Sequence, residues 1–173
     1  MRVYEIPEGS KNSKGRAIQN LINIEQDDKV KAFICTQDLK DEDYINSHYV
    51  IMATKMGQVK KTSLEQYSRP RSNGINAITI KDNDELLEAK LTNGSSQIML
   101  AVKSGKAIRF EEGKTRPMGR NASGVRGIRL KDKSDEVIGM VSVKDMDENI
   151  LVVSENGYGK RSSLENYRLT NRG

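Results

Sequence analysis

Tyr49-Val-Ile-Met-Ala-Thr54, followed after two residues by Gly57-Gln-Val-Lys-Lys-Thr-Ser-Leu-Glu-Gln-Tyr67, reads as an apolar strand, a glycine turn and a returning strand. That order predicts a β-hairpin, because glycine supplies the positive φ that a tight turn between twisted strands needs. The same grammar returns twice. Gln97-Ile-Met-Leu-Ala-Val102 precedes Gly105-Lys-Ala-Ile-Arg-Phe110, and Asn149-Ile-Leu-Val-Val-Ser154 precedes Gly157-Tyr-Gly-Lys-Arg-Ser-Ser-Leu-Glu-Asn-Tyr167. The three turn glycines lie 48 and 52 residues apart, a period that signals a repeat architecture.

Two further elements recur around the hairpins. Lys14-Gly-Arg-Ala-Ile-Gln-Asn-Leu21, Asn73-Gly-Ile-Asn-Ala-Ile-Thr-Ile80 and Ser123-Gly-Val-Arg-Gly-Ile-Arg-Leu130 are glycine-led and alternate with period two, as half-buried strands do. Asp28-Lys-Val, Asp84-Glu-Leu and Asp135-Glu-Val are acidic turns leading into short apolar strands. Four short strands in roughly 50 residues is the arithmetic of a propeller blade. The expected fold is all-β, with repeats at 15–67, 74–117 and 124–167, part-repeats at 1–14 and 168–173, and blade cores around Ile51, Met99 and Leu151. Val3-Tyr-Glu-Ile6 matches the tail of a hairpin, so the chain reads as starting and stopping inside repeats, with an exposed strand edge at one or both ends. No helical periodicity stands out, and Gln37 to His48 is expected to form a long hairpin or interstrand loop.

A chain of 173 residues with 35% hydrophobic and 31% charged residues has an economical core and a heavily solvated surface. Its single cysteine, Cys35, excludes an internal disulfide framework and fits a reducing cytosol. Cys35 closes an apolar run from Val30 and is expected as a small core residue. No apolar run approaches the length of a transmembrane helix, and no signal peptide opens the chain.

The formal net charge of +5 says little by itself, but the charges are segregated. Acids gather at Glu25 to Asp28, Asp41 to Asp43, Asp82 to Glu85 and Asp145 to Glu148. Bases gather at the other corner of each repeat: Lys11, Lys14 and Arg16; Lys60, Lys61, Arg69 and Arg71; Arg109, Lys114, Arg116, Arg120 and Arg126; and Lys160, Arg161, Arg168 and Arg172. A ladder of bases along one edge suits the backbone of duplex DNA, because bending DNA costs several kcal/mol that only many phosphate contacts offset. Gly119 and Gly124 are expected to let backbone N–H groups approach phosphates closely. Any one of these lysines is better read as a solvated surface charge; the repeated set favours a functional reading.

Other chemistry finds little support. His48 has no Cys or His at ligand spacing. Asp27-Asp28, Asp82 with Asp84, and Asp145 with Asp147 lack a full calcium-loop pattern and read as turn residues. No Gly-Lys-Ser/Thr phosphate loop is present. Tyr67 and Tyr167, with Ile6 at the matching position, are expected to pack between blades. No catalytic residue, metal or cofactor is therefore assigned.

At Gly57-Gln-Val-Lys-Lys-Thr62, Arg116-Pro-Met-Gly-Arg-Asn-Ala-Ser-Gly-Val-Arg-Gly127 and Asn156-Gly-Tyr-Gly-Lys-Arg161, the chain closely resembles the C-terminal domain of the DNA gyrase A subunit. The resemblance implies a β-pinwheel, a propeller-like disc whose neighbouring blades exchange strands. It implies non-specific wrapping of duplex DNA on a basic rim, in a bacterial, cytoplasmic, nucleoid-associated complex with the rest of the A subunit and with the B subunit. It places the cleaving tyrosine, Mg²⁺ and the ATPase elsewhere, so this chain alone is expected to have no enzymatic activity, small-molecule substrate or membrane partner. The family's first-blade Gln-Arg-Arg-Gly-Gly-Lys-Gly signature has no match here, and Ser10 to Arg16 and Arg69 to Gly74 are degenerate versions. The chain thus reads as a fragment without the first blade. The alternatives are the related domain of the topoisomerase IV A subunit and a protein-binding β-propeller.

Overall fold

The computed structural model describes residues 1–25, 28–71 and 73–173. Its elements are α1 (Glu42–Ser47), β1 (Tyr49–Thr54), β2 (Gln58–Ser63), β3 (Leu86–Thr92), β4 (Gln97–Val102), β5 (Ala107–Glu111), β6 (Val125–Arg126), β7 (Val137–Val143), β8 (Asn149–Val153) and β9 (Gly159–Ser163), with single 3₁₀ turns between them. The fold is all-β apart from α1. Each of the three expected hairpins forms: β1 pairs antiparallel with β2, β4 with β5, and β8 with β9. Their turn glycines Gly57, Gly105 and Gly157 have φ of 81°, 85° and 81°, the left-handed region that a side chain penalises. Ser63 and Ser163 then cap the 3₁₀ turns Leu64–Tyr67 and Leu164–Asn166 by accepting from the N–H of Glu65 and Glu165.

The sheets are built by exchange between successive repeats. β3 pairs with β1, and β7 with β4, so the first and second hairpins each take a third strand from the repeat that follows. β6 adds to the far side of β2, giving the sheet orders β3-β1-β2-β6, β5-β4-β7 and β8-β9. The acidic turns lock this exchange. Asp84 Oδ1 accepts from the Met56 N–H at 2.9 Å, and Asp135 Oδ1 accepts from the Ser104 N–H at 3.0 Å, so each acid caps the turn of the preceding hairpin.

Apolar side chains pack between consecutive sheets. Ile51, Ala53 and Val59 of the first sheet meet Ile98, Leu100, Val102 and Phe110 of the second. Met99 and Val143 of the second meet Ile150 of the third and Leu164 of the 3₁₀ turn that follows it. The outer face of the first sheet (Val50, Met52, Leu64 and Ala89) is covered by Ile45 of α1 and by Ala32 and Ile34. Tyr67 and Tyr167 pack against two of these clusters as expected.

Four local expectations fail. Within Gln37 to His48 the chain forms α1, capped by Asp41, whose side chain accepts from the Tyr44 N–H. Six residues are too few to display a helical period in sequence, and the helix is anchored by the buried Ile45 with Tyr44 partly buried beside it. The run from Val30 to Cys35 joins no sheet among the described residues, and Cys35 is exposed because Ala32 and Ile34 take the inward positions. Of the three glycine-led segments, only Val125–Arg126 enters a ladder. Leu151 is 66% exposed rather than a core residue, because β8 and β9 form a sheet of two strands with no third strand beside them among the described residues. Of the paired aspartates, Asp27 lies outside the described residues.

Candidate functional site

The basic corner of each repeat lies on a linker that doubles back over the preceding hairpin. After β5, Pro117 bridges to Lys61, and the Met118 N–H donates to the Lys61 carbonyl at 2.7 Å. Val125 and Arg126 then pair with Val59 and Gln58, and the Gly127 N–H donates to the Gly57 carbonyl at 2.7 Å. The next linker repeats the route one hairpin on. Leu169 bridges to Arg109, the Thr170 N–H donates to the Arg109 carbonyl at 2.8 Å, and the Gly173 N–H donates to the Gly127 carbonyl at 3.0 Å.

The Gly-Val-Arg-Gly motif is what lets the linker lie this close. A Cβ at Gly124 would stand 2.7 Å from the Val59 carbonyl oxygen, and one at Gly127 would overlap Val59 Cγ2. Gly124 therefore serves contact with β2 rather than with a phosphate, whereas Gly119 has open space around it.

The linker fold decides which bases are free. Lys11, Lys14, Arg16, Arg69, Arg71, Lys114, Arg116, Arg126, Lys160, Arg161 and Arg168 are exposed, and Arg120 and Arg172 are half-buried. Arg172 draws part of the set together: its Nε donates to the Lys114 carbonyl at 3.2 Å and its Nη1 to the Arg126 carbonyl at 2.5 Å. Lys114, Arg126 and Arg172 thus share one corner where successive linkers meet. Lys11 to Arg16 belong to the N-terminal segment that precedes the first hairpin.

Three expected rim residues are not on the surface. Lys61 is buried and ion-paired to Glu112 at 2.8 Å, with its Nζ 4.1 Å from the centre of the Tyr49 ring. Lys60 is wholly buried, and its Nζ donates to the carbonyls of Ala77 and Arg120. Burial, with Arg120 nearby, pulls the Lys60 amine down to about 8. Arg109 is 7% exposed, with Nε and Nη1 making no hydrogen bond. Its repeat position matches Lys61, but the position matching Glu112 in the next repeat is Leu164, so no acid meets it. Lys61 and Arg109 sit on the inter-sheet faces of β2 and β5, and Lys60 sits on the outer face of β2 beside Met52, under the linker; the sequence does not distinguish any of these places from a solvated face.

Other residues shape the rim that the repeats do not reveal. Gln66 Oε1 accepts from the Arg120 N–H at 3.1 Å and fixes the linker on one side while Lys60 holds the other. Arg129 and Lys133 line a shallow concavity with Arg126, beside Gln58 and Asp132. Both fall within a repeat that the sequence marks as basic, but neither has a basic counterpart in the preceding repeat, where Thr79 and Asn83 stand.

Among the described residues, no group of three or more His, Cys, Asp or Glu side chains is placed to hold a metal ion. Among them, no helix is long and apolar enough to cross a membrane. His48 Nδ1 is engaged with the Tyr44 carbonyl oxygen at 2.8 Å. Burial pushes the Asp135 carboxyl up, but hydrogen bonds from the Lys131 N–H, the Ser104 hydroxyl and N–H, and the Glu136 N–H outweigh it and hold the group below the usual carboxylate range.

Comparison with known proteins gives one consistent relationship. Residues 1–37, 48–93, 97–144 and 148–173 match the family described as DNA gyrase C-terminal domain, beta-propeller. The chain is 42% identical to the DNA gyrase A subunit of Staphylococcus epidermidis and 41% identical to that of Staphylococcus aureus, across its full length in both cases. It spans only 19% of the length of those relatives. A solved C-terminal domain of DNA topoisomerase IV superposes with a TM-score of 0.86 at 28% identity, covering 99% of this chain and 51% of that one. A DNA gyrase A C-terminal domain superposes with a TM-score of 0.81 at 26% identity, covering 100% of this chain and 53% of the other.

Proposed function

Given that the chain belongs to the DNA gyrase C-terminal domain family, we propose that it binds and wraps duplex DNA non-specifically along the linker rim. The observation that carries this reading is the docking of successive linkers on successive hairpins, which sets bases at one repeated corner: the exposed Arg116 and Arg126 on one linker, the exposed Arg168 and the half-buried Arg172 on the next. Linker backbone bonded to a sheet edge is a rigid mount, so its cations contact phosphates without a large ordering cost. The parent protein is then the A subunit of gyrase, in a bacterial cytoplasmic complex with the B subunit that supercoils DNA. This segment supplies the wrapping surface, while strand cleavage and ATP hydrolysis belong to other parts of the complex. Nothing on the rim would read bases, so binding is expected to be indifferent to sequence.

A salt titration of affinity on two unrelated duplexes tests the proposal. Each neutralised phosphate contributes about 0.9 to the slope of log K against log salt. Replacing Arg116, Arg120 and Arg126 together with Ala should weaken binding to both duplexes alike and flatten the slope by about two to three units. Asp84 and Asp135 are unsuitable as controls because they cap turns; the exposed Glu111 and Asp145 serve instead. An unchanged slope in the arginine variant would remove DNA from this rim and favour a protein-binding propeller.

A further inference from the structure

Two arginines at one repeat position end in different bonds. Arg120, on the linker after β5, and Arg172, on the linker after β9, each lie three residues past the bridge to the preceding hairpin, Pro117 or Leu169. The Arg172 guanidinium spends Nε and Nη1 on the carbonyls of Lys114 and Arg126. Around Arg120 the matching carbonyls belong to Gln66 and Asn76. Among the described residues the Arg120 guanidinium bonds to neither of them, nor to any other group. Only the Arg120 backbone is held, its N–H by Gln66 Oε1 at 3.1 Å and its carbonyl by Lys60 Nζ.

Lys60 lies at the middle of this node. Its side chain is wholly buried on the outer face of β2, and its Nζ ties two linkers at once: the one after β2 through the Ala77 carbonyl, the one after β5 through the Arg120 carbonyl. The Tyr67 hydroxyl donates to the same Ala77 carbonyl at 3.2 Å. Beside the lysine the two linkers bond directly. The Thr79 hydroxyl donates to the Asn121 carbonyl at 2.7 Å, and the Thr79 N–H to the Ala122 carbonyl at 3.3 Å.

The second hairpin has Ile108 where the first has Lys60, and Thr115 where the first has Tyr67. Isoleucine has no donor to offer a linker. The Gly127 carbonyl, which matches that of Ala77, accepts there from the Gly173 N–H at 3.0 Å, and the arginine side chain supplies the remaining ties. In the first hairpin the ammonium stands in for the arginine. It also repels a guanidinium that would turn in toward the neighbouring carbonyls, because like charges brought together in a desolvated place raise the energy.

We propose that Lys60 is a positioning residue for DNA binding: it ties the linker at Arg120 from beneath and so leaves the Arg120 guanidinium unspent for a phosphate. The inference rests on the DNA-binding reading above and assigns unequal parts to two arginines that the repeat makes equivalent. Arg120 brings its whole fork of donors to the rim, a geometry that suits a phosphate. Arg172 brings what two carbonyls leave. A buried lysine that never touches DNA thus decides how one rim cation is used.

Salt titrations of duplex affinity test this with Lys60→Met, which nearly keeps the side-chain volume, with Arg120→Ala, and with the two combined. Each single variant should flatten the slope of log K against log salt by about one unit, the share of one phosphate, and the double variant should flatten it no further. Slopes that add in the double variant would mean that Lys60 acts through its own charge. An unchanged slope in Lys60→Met would mean that Arg120 needs no tie. Either result overturns the proposal. An unchanged slope in Arg120→Ala overturns it as well, and the triple variant of Arg116, Arg120 and Arg126 then shows separately whether the DNA reading stands. If Lys60→Met does not fold, Gln66→Ala at an exposed position takes its place. Flattening that disappears in the Arg120→Ala background supports the proposal; no flattening, or the same flattening in that background, overturns it.

Discussion

Lys61 Nζ and Glu112 Oε1 stand 2.8 Å apart across the boundary between the first and second hairpins, with their side chains 5% and 0% exposed. Glu112 also accepts from the Thr92 hydroxyl at 2.7 Å and the Ser96 N–H at 3.3 Å. At the matching place the other hairpins carry Leu64 and Leu164.

That contrast sets a stability prediction. Glu112→Leu copies the neighbouring repeats but strands a buried ammonium, and should cost about 3 to 5 kcal/mol. Combining it with Lys61→Met removes both charges and should return most of that loss. Urea unfolding of the two variants measures the difference. Equal destabilisation would mean that the fit of Glu112, and not the charge of its partner, carries the effect.

Lys60 makes stability depend on alkaline pH. Its folded pKa is about 8, against 10.5 for an ordinary lysine. Between those values the unfolded chain holds a proton that the folded chain has released, so unfolding free energy rises as pH increases from about 8 toward 10. The gain is on the order of 2 kcal/mol and should vanish in Lys60→Met. The same variant should speed hydrogen exchange in residues 116–124, because Arg120 loses its tether.

Asp135 acts at the acid end. Its folded pKa lies below the unfolded value, so its contribution is complete at neutral pH and is lost as pH falls through the folded pKa. Asp135→Asn should lower the melting temperature at pH 7 and narrow the gap to the parent protein as the solution is acidified. Thermal melts at several pH values between neutral and strongly acid check the direction.

Gly127→Ala should destabilise by about 1 to 3 kcal/mol, because its methyl would overlap Val59 Cγ2 and stand 2.8 Å from Leu100 Cδ1. Gly119→Ala, in open space on the same linker, should change stability by less than about 0.5 kcal/mol. Chemical denaturation of the two side by side is the measurement.

The hairpins were legible because their signals are local: an apolar run, a glycine at a left-handed turn and a serine cap each act within a few residues. The acidic turns were legible as turns for the same reason. Legibility ended where a side chain's surroundings come from another repeat. Lys60, Lys61 and Arg109 look like rim cations in sequence, but the linker and the next hairpin close over them. Leu151 looks like Ile51 and Met99, and differs only because β8 has one neighbour among the described residues. The short helix α1 rests on one cap and one buried isoleucine, a signal too small to outweigh the surrounding charge.

The strand exchange also governs the order in which a growing chain can fold. β1 and β2 are joined by a turn of a few residues, but their sheet lacks its outer strands until Leu86–Thr92 and then Val125–Arg126 have been synthesised. The first and second hairpins therefore wait, half-built, for the repeat behind each to leave the ribosome. Folding must run in the direction of translation, one repeat in arrears, and a stall within Asp132 to Val143 would leave the second hairpin with an apolar edge open to solvent.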